Sequence, residues 1–201
     1  MCCSKKEQLN VGLPDPGSSS ARADDKDAKP EKTSKGVRGP AFSVRLAWNL
    51  KIGGLTMTSI TPFLWFDNNV PLAVAFYKSV FPNAKVENVN DFMATFELEG
   101  QRFIALNGGP KYKFNEAVSL FISVENQEQV DYFWNQLTAD GGEEGNCGWL
   151  KDKFGLSWQV VPTALGRFLG DPDRNKANRA MQAMLKMRKI IIADLEAAFA
   201  G

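Results

Sequence analysis

The chain has 201 residues, 24 Lys or Arg against 23 Asp or Glu, and a formal net charge of +1, so neither nucleic acid nor an anionic membrane is implied as a partner. It contains no histidine, which excludes a His general base, a Ser-His-Asp triad, a Cys-His pair and any His-ligated metal. Its three cysteines, Cys2, Cys3 and Cys147, make neither a disulfide framework nor a zinc spacing, as expected of a reducing, cytoplasmic compartment.

Residues 1–56 hold ten basic and six acidic side chains, whereas 57–201 hold fourteen and seventeen. The mild basicity therefore belongs to the leader, and the remainder is slightly acidic. Residues 1 to about 40 are rich in Lys, Asp, Ser, Gly and Pro, with almost no periodic apolar positions. Such a segment cannot bury enough surface to offset its ordering entropy and is expected to be disordered. Glu7, Asp15, Asp24, Asp25 and Asp27 do not suit an acid-poor transit peptide, and no apolar stretch follows Met1. The Cys2-Cys3 pair reads as two ordinary thiols rather than a lipid attachment. Gly53-Gly54 fits the codons of a bacterial ribosome-binding sequence, with Leu55 and Thr56 as spacer, so translation of the native protein is expected to begin at Met57. No run reaches the length of a membrane span.

Ordered structure is expected from Ile60. Ile60 to Phe66 reads as a strand, with Pro62 near its start, where a missing donor is tolerable. Asp67-Asn68-Asn69 is a turn whose last residue can cap a helix over 70–81. Pro71 suits its first turn, and Ala73, Phe76, Tyr77 and Val80 form its apolar stripe. Three short strands follow, Lys85 to Val89, Phe92 to Leu98 and Arg102 to Asn107, the last two joined at Glu99-Gly100.

The unit then recurs. Val118 to Val124 is a strand, Asn126 a cap with Gln129 three residues on, and Val130, Phe133, Trp134 and Leu137 line a helix over 127–140. Asn69, Ala73, Phe76 and Val80 each find their counterpart 57 residues later. The second unit closes with a hairpin: a strand to Leu150, a turn over Lys151 to Gly155, and a strand from Leu156 to Val161. In that last strand Trp158 and Val160 point one way, and Ser157, Gln159 and Val161 the other. The expected fold class is α+β, two βαβββ modules forming a pseudo-twofold curved mixed sheet around a cleft. From Pro162 the chain reads as helical, with Asp171 as cap, Pro172 at the first position, a stripe of Ala177, Met181, Met184, Leu185 and Arg188, and a short helix over Ile192 to Phe199. The domain thus spans 57–162, with residues 163–201 as its helical tail.

These modules resemble the vicinal oxygen chelate superfamily, which includes glyoxalase I, bleomycin resistance proteins and extradiol dioxygenases. Within it, Ile60-Thr-Pro-Phe-Leu-Trp-Phe-Asp67, Ala105-Leu-Asn-Gly-Gly109, Phe114-Asn-Glu-Ala117 and the stretch Cys147 to Pro162 are similar to the PhnB-like branch, also labelled 3-demethylubiquinone-9 3-methyltransferase. The resemblance implies a small-molecule cleft, a homodimer paired through sheet edges and tail helices, and metal-ligand positions on the first and last strands of each module. Those positions fall at or near Pro62, near Ala105 or Asn107, at Ser119 and at Gln159. No negative charge stands among them, and a divalent ion wants carboxylate or imidazole donors, so no metal or other cofactor is expected.

Gln159 is open between an amide that reads a ligand and a buried amide satisfied by backbone. Asn107 is open between a ligand contact and a turn residue before Gly108-Gly109. Ser119 lacks a base for nucleophilic work and reads as a small strand residue at a ligand-facing position. Trp149 and Phe154 are open between walling the cleft and filling the core, whereas Trp65, Trp134 and Trp158 read as core. Glu116 suits a general base only if it is buried at the cleft, and Lys111 and Lys113 read as surface charges. Methyl transfer is disfavoured, because Gly108-Gly109 precedes Pro110 and Gly141-Gly142 ends a helix; neither forms the strand, glycine turn and helix of a doubly wound nucleotide site. The functional readings are a metal-free ligand cleft of unassigned reaction, a metal-dependent lyase, isomerase or dioxygenase, and a sequestering protein of the bleomycin-resistance kind.

Overall fold

A computed structural model of the chain describes residues 59–201. The expectations for the leader, for Cys2-Cys3 and for a start at Met57 lie outside the described residues. From Phe63 the order is β1 (Phe63–Phe66), α1 (Val70–Val80), β2 (Lys85–Val89), β3 (Met93–Leu98), β4 (Gln101–Asn107), β5 (Leu120–Val124), α2 (Gln127–Thr138), β6 (Glu143–Glu144), β7 (Trp149–Lys151) and β8 (Ser157–Pro162), followed by α3 (Thr163–Leu169), α4 (Arg174–Met184) and α5 (Ile192–Ala200). The strands form two four-stranded mixed sheets of the same topology, β1-β4-β3-β2 and β5-β8-β7-β6. In each, the first strand lies parallel to the last, and the rest of the ladder is antiparallel. The α+β class and the βαβββ repeat are as expected.

Alternation along the strands decides which side of each sheet is buried. Leu64, Phe66, Ala94, Phe96, Phe103 and Ala105 face α1, and Trp158, Val160 and Leu150 face α2. Both helix-covered sides feed one core: the Phe81 and Trp158 rings stack 5.3 Å apart, and Tyr77 lies 5.8 Å from Trp158. Both open faces are thereby left outside that core. Trp134 and Trp158 are core residues as expected, but Trp65 is only half-buried on the open side, its Nε1 donating to the Gly109 carbonyl at 2.8 Å.

One correction to the repeat follows from burial. The helices do repeat at 57, Tyr77 and Trp134 or Val80 and Leu137 being buried pairs. The strands before them repeat at 58, since Leu64 and Phe66 match Ile122 and Val124, and exposed Phe63 matches exposed Phe121. The extra residue sits in the Asp67-Asn68-Asn69 turn, which has one position more than Glu125-Asn126 and places Asn68 at a φ of 57°. A one-residue shift exchanges the two faces of a strand. The counterpart of Ser119 is therefore Thr61, not Pro62. Because Phe63 pairs with Ile104 as Phe121 pairs with Gln159, the counterpart of Gln159 is Ile104, not Ala105 or Asn107.

The tail is held against the second module. Cys147 and Gly148 donate backbone N–H groups to the Met187 and Arg188 carbonyls at 2.8 Å. The Gln127 side chain accepts from Ile192 N–H at 2.9 Å and donates to the Ile190 carbonyl at 3.2 Å. Leu165, Ile190 and Leu195 fill the space beneath. The cap of α4 is Asp173, whose carboxylate accepts from Asn175 and Lys176 N–H, so Pro172 lies outside the helix and Asp171 instead braces the turn by accepting from Asp173 N–H. The expected stripe divides: Ala177 is buried and Met184 packs inward, but Met181 and Leu185 stay exposed.

Candidate functional site

The hairpin that carries Gln159 is organised by a buried carboxylate. Asp152 is 2% exposed. Its Oδ1 accepts from Phe154 and Leu156 N–H, and its Oδ2 accepts from Tyr77 Oη at 2.8 Å and Trp158 Nε1 at 2.9 Å. Burial raises its pKa above the ordinary carboxylate value even though all four donors act to lower it, and burial beside the same carboxylate raises the Tyr77 hydroxyl well above its own. This hub fixes the turn and with it the facing of β8.

With Trp158 and Val160 turned inward, Ser157, Gln159 and Val161 occupy the open side. Gln159 stands between Phe121 of β5 and Trp149 of β7. Its Nε2 donates to Ser119 Oγ at 2.8 Å, and its Oε1 has no protein partner among the described residues. The buried alternative satisfied by backbone is thus not the arrangement seen. Phe121 is exposed and Trp149 half-buried, so the amide is flanked by two rings. Two residues along the ladder, on the same face, Lys151 pairs with Ser157.

Two concavities border this face. A groove of about 980 Å³ runs along β5 and includes Ser119 and Phe121; its other wall is Phe81, Leu98, Phe103 and the β3–β4 turn, rather than the open face of the first sheet. A second cavity, about 360 Å³, is lined by Glu116, Glu143, Glu144, Trp149, Lys151 and Ser157. Glu116 lies at its edge and exposed, 2.6 Å from Lys151 Nζ. The hydrogen bond from that ammonium holds its pKa below the usual value, the wrong direction for a base near neutrality.

Gln159, Ser119 and Trp149 are brought together; Asn107 and Phe154 are not. Asn107 ends β4 on the helix-covered side. Its Oδ1 accepts from Val70 N–H at 2.9 Å and its Nδ2 donates to the Asp91 carbonyl at 2.6 Å, so it caps α1 in place of Asn69, whose side chain makes no cap bond. Phe154 packs edge-on against Phe66, Phe76 and Tyr77, on the far side of the sheet from Gln159. Ser157 was not among the expected site residues, although its parity with Gln159 in the strand pattern pointed to this face.

The donor set does not fit a divalent metal. Thr61, Ile104, Ser119 and Gln159 occupy the equivalent strand positions, and all are neutral. Among the described residues no three His, Cys, Asp or Glu side chains are grouped to hold an ion. Nor, among the described residues, does either sheet have helices on both faces around a glycine turn, the architecture that a doubly wound nucleotide site requires. Gly108 instead lies against Trp65, where an added Cβ would come within 2.1 Å of the indole.

No curated protein sequence matches the chain. Among solved structures, it is similar to a PhnB protein of Bacillus cereus at 28% identity over 53% of this chain and 100% of that one, with a TM-score of 0.49. A glyoxalase-related enzyme from Fulvimarina pelagi aligns at 13% identity over 54% and 91% of the two chains, with a TM-score of 0.41. The fosfomycin resistance protein FosX of Listeria monocytogenes aligns at 14% over 54% and 94%, with a TM-score of 0.43. The profile of the family described as 3-demethylubiquinone-9 3-methyltransferase matches residues 58–161, and the chain belongs to this PhnB-like family.

Proposed function

We propose that the open face of the second sheet binds a small molecule without a metal ion, and that Gln159, seated by Ser119 and flanked by Trp149, reads it. The observation that carries this reading is the Gln159 amide, held by a single hydrogen bond of 2.8 Å to Ser119, with its carbonyl oxygen unused between two aromatic walls. An amide so placed can donate to and accept from one ligand, while the rings supply apolar contact. Methyl transfer is not part of the reading, because no doubly wound nucleotide site supports it, and a metal-dependent lyase or dioxygenase lacks its donors. Sequestration of an aromatic compound is the second reading, favoured by the exposed Phe63 and Phe121 on the two open faces. The working unit in this proposal is a homodimer in the cytoplasm, with 57–201 as the functional domain and no nucleic acid or membrane as partner. Among the described residues no helix is long and apolar enough to cross a membrane.

The test combines native mass spectrometry of the purified protein, elemental analysis and a thermal-shift screen of aromatic and carbonyl compounds. A ligand at a hundred times its dissociation constant stabilises by about 2.7 kcal/mol, which a thermal shift resolves. The expected result is a hit that Gln159→Leu weakens by about tenfold, no stoichiometric metal, and no change with chelator. A stoichiometric transition metal, or a hit indifferent to Gln159→Leu, would overturn the proposal.

A further inference from the structure

We propose that the cavity beside Trp149 takes a small organic cation, an ammonium group carried on a flat or apolar body. This inference rests on the open face being a ligand surface and adds the charge of the ligand and the residues that read it.

Three carboxylates, Glu116, Glu143 and Glu144, line the cavity against one ammonium, Lys151. Lys151 is already committed, with Glu116 Oε1 at 2.6 Å. Glu144 is oriented by Trp134 Nε1, which donates to its Oε1 at 3.0 Å, and its Oε2 lies 3.6 Å from the exposed Arg188 guanidinium. Glu143 stands opposite Lys151 in the ladder and its charge acts on that ammonium, but among the described residues it makes no ion pair within 4 Å. The wall therefore presents an excess of negative charge, which attracts a cation and repels an anion.

The independent observation is Ser157. It is 1% exposed, lines the cavity, and its Oγ has no hydrogen-bond partner. A buried hydroxyl without a partner is costly, and an ammonium N–H reaching the floor of the cavity would satisfy it. The Trp149 indole, on the neighbouring strand, offers the face over which a cation and its apolar body can lie. A volume of about 360 Å³ is within the range of small-molecule sites. Charge, depth and the aromatic wall select the same class of ligand.

Calorimetric titration of the full chain with phenethylamine, and with phenethyl alcohol and 3-phenylpropionate as neutral and anionic counterparts of similar shape, tests the inference. The amine is expected to bind about tenfold or more tighter than the acid, with an affinity that falls as salt is raised. Glu143→Gln is expected to weaken the amine about three- to tenfold and to leave the alcohol unchanged. Ser157→Ala is expected to weaken it similarly while raising the melting temperature of the free protein, because the orphan hydroxyl is gone. Equal affinity for amine and acid, no saturable amine binding up to roughly 10 mM, or indifference to both substitutions would each overturn it. If a screened ligand depends on Gln159 while Glu143→Gln and Ser157→Ala are silent, the ligand face stands and the cation site falls.

Discussion

At the scale of single residues, Asp152 is the position on which the hairpin depends. Four donors converge on it, two from backbone and two from aromatic side chains, and among the described residues its pKa is set by burial and these hydrogen bonds rather than by a cation. Asn would turn one acceptor oxygen into a donor and set an N–H against other N–H or O–H groups, so Asp152→Asn is expected to cost about 2–4 kcal/mol at neutral pH. The raised pKa fixes the sign of the pH dependence. Its folded value lies above the unfolded one, so the folded state holds its proton more tightly. The contribution of Asp152 to stability is greatest below the unfolded carboxylate value and declines as pH rises from there through the raised folded value. Denaturant titrations of wild type and Asp152→Asn across the acid range check this, with their gap in stability expected to narrow as pH rises. A gap that widens with pH would mean that the four hydrogen bonds outweigh burial. The Asp in the Lys151-Asp-Lys153 turn was legible as a turn residue. Its role as a hub was not, because Tyr77 lies 75 positions away in sequence.

Among the elements, what was legible depended on whether the deciding contact was local. The stripes of α1 and α2 and the Asn126–Gln129 cap rest on neighbours within a few residues, and they stand where the pattern placed them. The first cap does not, because Asn69 leaves α1 uncapped and Asn107, from the last strand of the same module, supplies the acceptor. No periodicity reveals a cap that arrives from 37 residues away. The same non-local geometry moved Asn107 out of the ligand face, and the single extra turn residue at Asn68 moved the partner of Gln159 to Ile104. Asn107→Ala is expected to cost about 1–2 kcal/mol, since it frees both Val70 N–H and the Asp91 carbonyl. Asn126→Ala should cost about 1 kcal/mol. Urea denaturation ranks the two. An Asn107→Ala variant that keeps full stability but loses ligand binding would return Asn107 to the site.

For the whole molecule, the two sheets leave their first strands as edges. Among the described residues β1 and β5 each pair on one side only, and each carries an exposed phenylalanine on its open face, Phe63 at 53% and Phe121 at 59%. Unpaired edges beside apolar side chains invite association unless they are covered. The tail offers a competing surface in Met181 and Leu185, exposed at 37% and 45% on α4. Both surfaces fit the homodimer of the proposed function, and they differ in consequence. Pairing through β5 would bring a second chain against the groove that holds Ser119, whereas pairing through α4 would leave that groove open. The apolar content favours the strand edges, because a phenylalanine buries more area than Met or Leu and the strand adds unpaired backbone groups. Sedimentation at micromolar concentration is therefore expected to show a dimer, Phe121→Arg to shift it toward monomer, and Met181→Arg to leave it intact. The reverse ranking would place the interface on the tail. A monomer in the unmodified protein would remove the dimer from the reading and leave both phenylalanines as ligand contacts.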